Sequence, residues 1–182
     1  MKLEIKNDQN DQKDQKDNET TGYKPSKKVI ELLSDYALIG ISDKKLYYEI
    51  SNFYLNKGYV HLKAFSRCLT NHLTDSFDSI ERHLKTFGIS ITDDVEKTDE
   101  TFESEMDAFE LMYELEKNRI AALNDIMLVS NDEKDLIHTV IIQDLIKIQL
   151  SVCRKMQIAY NIMKREGGFD LKGRDIMENI VL

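Results

Sequence analysis

The chain has 182 residues with one proline, seven glycines and a formal net charge of −8. That length suits one domain with a real core rather than two. The scarcity of breakers allows long helices, and the acidic balance argues against nucleic acid as a partner.

In chain order, residues 1 to about 24 form a first unit. The run from Asn7 to Asn18 is polar and near-repetitive, with too little apolar area to offset the entropy of ordering, so a disordered tail is expected. Pro25 and Ser26 stand where a helix start uses them. Three-and-four spacing of apolar residues then predicts four long helices over residues 25–168. The first spans about Lys27 to Tyr54, with a stripe through Val29, Leu33, Tyr36, Gly40, Tyr47 and Ile50. A short loop at Asn56-Lys57-Gly58 leads to the second, about Val60 to Phe87, which Gly88 is placed to cap. A polar connection of Ile89 to about Thr101 follows.

The third helix is predicted from about Phe102 to Val129, with a stripe through Met106, Phe109, Tyr113, Glu116, Ile120 and Leu123. The loop Ser130-Asn131-Asp132 separates it from the fourth, about Glu133 to Arg165, whose apolar face runs through Ile137, Ile141, Leu145, Ile148, Val152 and Met156. After Gly167-Gly168, residues 169–182 hold a short apolar helix, strongest from Arg174 to Val181. Tight links within each pair and a longer connection between pairs describe two antiparallel hairpins joined by a crossover, an all-α bundle.

Cys68 and Cys153 have no paired spacing, which argues against a disulfide framework or thiolate metal site and fits a reducing compartment. No apolar run approaches the roughly 20 residues that span a bilayer, and the N-terminus lacks a signal-peptide core. The expectation is a cytoplasmic protein without a membrane partner.

Two polar residues stand out against the helix faces. Glu116 sits within the stripe of the third helix, and Gln149 at the edge of the fourth helix's face. A buried carboxylate is costly alone. Either the Gln149 amide donates to Glu116, or the two supply oxygen ligands to a metal. A di-iron carboxylate bundle also needs inward carboxylates on the other helices and Glu-x-x-His pairs, and the chain has no such pair. On the second helix His72 and Asp75 are three apart and share a face with Cys68 and Asn71; that cluster is either a solvated face or a set of cation contacts. Phosphate loops and nucleophile elbows are absent.

From Val29 to Asn179 these positions resemble the ferritin family, most closely from Tyr113-Glu114-Leu115-Glu116-Lys117 to Glu166-Gly167-Gly168, where the chain is similar to bacterial-type ferritins. The resemblance implies an up-down-down-up four-helix bundle with a long crossover and a short fifth helix. It also implies a large homo-oligomer, or a mixed oligomer with a catalytic subunit, and a role in iron storage. The family's iron-oxidising ligands fall on Gly40, Leu73, Ser76, Glu116 and Gln149, so only Glu116 and Gln149 match as the remnant of a di-iron site. His72 and Asp75 fall on the inner face where related subunits contact cations. The family's channel positions fall near His138, Thr139 and Ile142. The resemblance thus leaves iron as a doubtful ligand, and the competing reading is a structural or interaction protein on the same bundle.

Overall fold

The computed structural model describes residues 25–91 and 101–180. The expected N-terminal tail, most of the crossover and the last two residues lie outside the described residues. Five helices follow in order: α1 Lys27–Asn56, α2 Val60–Lys85, α3 Glu105–Asp132, α4 Leu136–Met163 and α5 Phe169–Asn179. Among the described residues there is no strand.

Local chemistry sets the helix ends. The Ser26 hydroxyl accepts from Val29 N and the Ser104 hydroxyl from Asp107 N, each satisfying an amide that the first turn leaves open. Asp135 does the same for α4, accepting from His138 N at 3.1 Å. Gly88, at φ +74°, turns the chain after α2 so that Ile89 N reaches back to Leu84 O at 3.2 Å.

Helices α1 and α2 form one hairpin and α3 and α4 the other; α1 packs on α3, and α5 lies against α2 and α4. The core runs the length of the bundle, with Tyr47, Tyr54, Phe65, Phe109 and Met112 fully enclosed. Phe65 of α2 stacks on Phe109 of α3 with ring centres 5.8 Å apart. α5 sits so close to α2 that a Cβ on Gly173 would stand 3.0 Å from Leu62 Cγ. Residues 169–182 were expected to pack on the bundle or on an oligomer axis; the described part packs on its own bundle.

The buried faces of α3 and α4 differ from the expected stripes. On α3 the enclosed residues are Phe109, Met112, Glu116, Arg119, Leu123 and Ile126, while Tyr113 and Ile120 are only partly covered. On α4 the inward face carries His138, Ile142, Leu145, Gln149, Val152 and Met156, while Ile137 and Ile148 are exposed. Polar side chains hold core positions on both helices, so a count of apolar residues set the register one step off. α4 also contains an 18-residue window apolar enough, by composition, to cross a membrane. This corrects the expectation that nothing approached that threshold, although the helix forms one wall of the bundle and turns His138 and Gln149 inward.

Candidate functional site

Midway along the bundle, three helices bring charged and polar side chains into the core. α1 supplies Asp43 and Tyr47, four apart and so on one face. α3 supplies Glu116 and Arg119, three apart, and α4 supplies Gln149 and Cys153. Glu116 is fully enclosed and Arg119 is 3% exposed. Charged groups at that depth persist only when partnered.

Each Glu116 oxygen has a partner. Tyr47 Oη donates to Oε1 at 2.6 Å, and Gln149 Nε2 donates to Oε2 at 2.5 Å. Arg119 Nη2 stands 3.3 Å from Oε1 and donates to Tyr47 Oη at 2.7 Å. On its other side, Arg119 Nε lies 3.4 Å from Asp43 Oδ2. The guanidinium therefore bridges a carboxylate from α1 and one from α3, with the Tyr47 hydroxyl relaying between it and Glu116. Cys153 Sγ donates to Glu116 O at 3.2 Å. Arg119 Nη1 is enclosed without a hydrogen-bond partner.

Burial decides the electrostatics. It pushes the Asp43 carboxyl up to about 6, and Arg119 beside it only partly offsets that. Burial pushes the Tyr47 phenol well above its ordinary range, with Arg119 pulling down and Glu116 pushing up. At Arg119 burial works to lower the pKa, but Tyr47, Glu116 and Asp43 more than offset it, so the guanidinium is firmly charged. The cluster holds up to two anions against one fixed cation and has internal partners for most of its polar atoms.

The positions around it are closed by hydrocarbon. Leu73 of α2 is buried. The face above Gly40 is filled by the Phe77 ring, since a Cβ on Gly40 would fall 1.6 Å from Phe77 Cζ. Ser76 is partly covered. His72 is half-buried, and its Nε2 is enclosed without a hydrogen-bond partner. Burial lowers its pKa, with Glu116 opposing, so the imidazole is neutral near pH 7. Asp75 is exposed. His138, among the positions nearest the family's channel residues, is wholly enclosed. Among the described residues no group of three or more His, Cys, Asp or Glu side chains converges as a metal would need.

The structure thus brings Glu116 and Gln149 together and adds Arg119, which sequence reasoning missed, along with Asp43. The available signal was spacing: Arg119 continues the Phe109, Met112, Glu116 series toward Leu123.

No family model and no curated protein sequence matches the chain. Solved structures do. A humanized archaeal ferritin superposes with a TM-score of 0.77 at 18% identity, covering 84% of this chain and 97% of that one. An open-pore ferritin from the hyperthermophilic archaeon Archaeoglobus fulgidus gives 0.77 at 16% identity, covering 85% and 98%. A closed form of Archaeoglobus fulgidus ferritin, engineered by site-directed mutagenesis, gives 0.74 at 16%, covering 84% and 96%. Likeness at that level speaks to architecture, and the chain has the ferritin-like fold, from the first helix through the short fifth one.

Proposed function

We propose that the chain is a ferritin-like cage subunit without a working iron-oxidising centre, serving iron storage passively or beside a catalytic subunit. The observation that carries this reading is the Arg119 guanidinium, 3.3 Å from Glu116 and 3.4 Å from Asp43. A fixed organic cation stands where iron, the cargo of such a cage, would need an open set of carboxylates. Glu116 and Gln149 are then the remnant of a di-iron site, and their oxygens and amide are committed to each other, to Tyr47 and to Arg119. Two iron ions would need carboxylates where Gly40 and Leu73 stand. His72 and Asp75 are assigned a weaker role as cation contacts on the inner face. Residues 25–168 act as the bundle unit, with the polar segment 1–24 outside the assembly.

Large exposed side chains favour self-association. Leu128, Leu136, Ile137 and Val140 at the α3–α4 end are between 45% and 73% exposed, a concentration of apolar surface suited to a subunit contact. The same surface also suits the second reading, an interaction protein on this bundle that no longer handles iron.

Aerobic oxidation of added ferrous iron tests the proposal. The expected rate equals the protein-free control, and a saturable enhancement abolished by Glu116→Ala would overturn it. Light scattering at micromolar concentration should find a large closed oligomer; a stable monomer or dimer would rule out the cage. Iron content of the protein purified from its own source separates the two readings.

A further inference from the structure

Where α2 ends and α4 begins, a second polar cluster lies inside the bundle, away from Glu116. His138, in the first turn of α4, is fully enclosed, and its Nδ1 lies 2.7 Å from Asp135 Oδ2. The same carboxylate accepts from Ser26 N at 2.9 Å and from His138 N at 3.1 Å. It therefore ties the head of α4 to the head of α1. Ser130 Oγ, near the end of α3, ties it on another side by donating to Asp135 O at 3.1 Å. The last turn of α2 meets this anchored point through rings. His83 and His138 stand with centres 4.9 Å apart and planes at 78°. Phe87 covers both, at 5.1 Å from His83 and 5.3 Å from His138.

Nε2 of each histidine is buried without a hydrogen-bond partner. For His83 that contact suits a neutral ring and not a charged one. A neutral imidazole has a single N–H, which Nδ1 can hold. The imidazolium has an N–H on both nitrogens, and the one on Nε2 would stand in a corner where it has no acceptor. We propose that His83 and His138 form an acid-sensitive latch between the end of α2 and the head of α4, and that one proton taken by His83 from solvent releases it. The moving side is the last turn of α2 with Phe87, because the head of α4 is anchored to α1 and α3.

The surrounding charges favour release. From α4, His83 faces His138 and Asp135. Burial, followed by His138, holds the His83 pKa below its ordinary 6.5, while Asp135 pulls it upward. Asp135 is a weak counter-ion for His83, since its carboxylate is committed to Ser26 N and to both His138 nitrogens that face it. From α1 the corner receives the uncharged Ser26, whose hydroxyl donates to the Glu133 carboxylate at 3.3 Å. α3 contributes the Ser130 hydroxyl. The C-terminus of α2 favours a cation through its dipole, but Arg82 and Lys85 already stand in that turn. A group whose folded pKa is depressed adds stability above its unfolded value and loses it on acidification, so the latch weakens as pH falls below 6.5. Asp43 works in the opposite sense but lies mid-bundle, so place separates the two effects. The latch depends neither on iron nor on the reading of the Glu116 cluster.

The test is hydrogen exchange of the full chain, followed by mass spectrometry at pH 7.5 and pH 5 and corrected for the intrinsic pH dependence of amide exchange. At pH 5, protection should fall at least tenfold across residues 80–91 and less than twofold across residues 109–123. His83→Gln and His83→Phe cannot take the proton, so both should keep their pH 7.5 protection at pH 5, whereas His61→Gln should respond as the parent does. His83 is only partly buried, and circular dichroism verifies the fold of each variant. Unchanged protection over residues 80–91 on acidification, a loss that persists in a folded His83 variant, or a loss spread evenly along the bundle would each overturn the proposal.

Discussion

Replacing Arg119 with methionine keeps the length and much of the volume of the side chain but removes the one cation shared by Asp43 and Glu116. At separations of 3.3 and 3.4 Å, each ion pair has a Coulomb energy of about 5 kcal/mol at an effective dielectric constant of 20. The loss does not reach the sum of the two, because a stranded carboxylate can neutralise itself by taking a proton. At pH 7 that costs about 4 kcal/mol for an ordinary carboxylate. Asp43 starts from a pKa of about 6, so its proton adds only about 1.4 kcal/mol. Burying a guanidinium also carries a desolvation cost that the variant no longer bears. The net expectation for Arg119→Met is a loss of about 3–5 kcal/mol at pH 7, the range for removing one partner of a buried ion pair. Because protonation limits the damage, the loss should shrink by about 1.4 kcal/mol per pH unit on going from pH 7 to pH 5. Urea unfolding of parent and variant at both pH values measures it. A loss under about 1 kcal/mol, or one indifferent to pH, would refute the claim that Arg119 neutralises these carboxylates in the core.

Asp43→Asn follows from the raised pKa of about 6 against the ordinary 3.8. The folded chain holds that proton more tightly, so parent stability falls as pH rises from about 4 to about 6 and stays lower above. Asparagine lacks that dependence, so the variant should gain on the parent by about 2–3 kcal/mol between pH 4 and pH 7.5, read by urea titration at each pH. Gln149→Leu removes the amide that donates to Glu116 and should destabilise by about 1–3 kcal/mol in the same assay. Gly40→Ala must displace the Phe77 ring and should cost about 1–3 kcal/mol despite the better helix propensity of alanine; an unchanged Tm would show that the ring moves freely.

Much of the fold was legible because long helices declare themselves by period and their ends by chemistry. Ser26, Gly58 and Gly88 mark boundaries that fall within a few residues of those observed. The core faces of α3 and α4 were less legible. Tyr113 and Ile120 read as interior on hydrophobicity alone, yet Met112 and Arg119 take those places. On α4, His138 and Gln149 displace Ile137 and Ile148 in the same way. A charged residue enters a core only with partners from other helices, and those partners are set by tertiary packing that no local window contains. Glu116 and Gln149 could be picked out because each lies at the centre of a long helix, whereas the bridging role of Arg119 depends on Asp43, which is 76 positions earlier by their residue numbers.

The fit between Gly40 and Phe77 dictates an order for anyone rebuilding an acidic centre in this bundle. A glutamate placed first at position 40 would drive its own Cβ into an aromatic ring, and the chain would be penalised before any metal could compensate. Trimming Phe77 first opens a hole beside Tyr36, whose ring now lies 5.7 Å away, and that intermediate must survive on the remaining core. Only then does the glutamate have room, and Arg119 must leave last, once a metal can take over its charge. Of the sequences of single steps leading from this core to an iron-binding one, most begin with a step that costs stability before any metal can repay it.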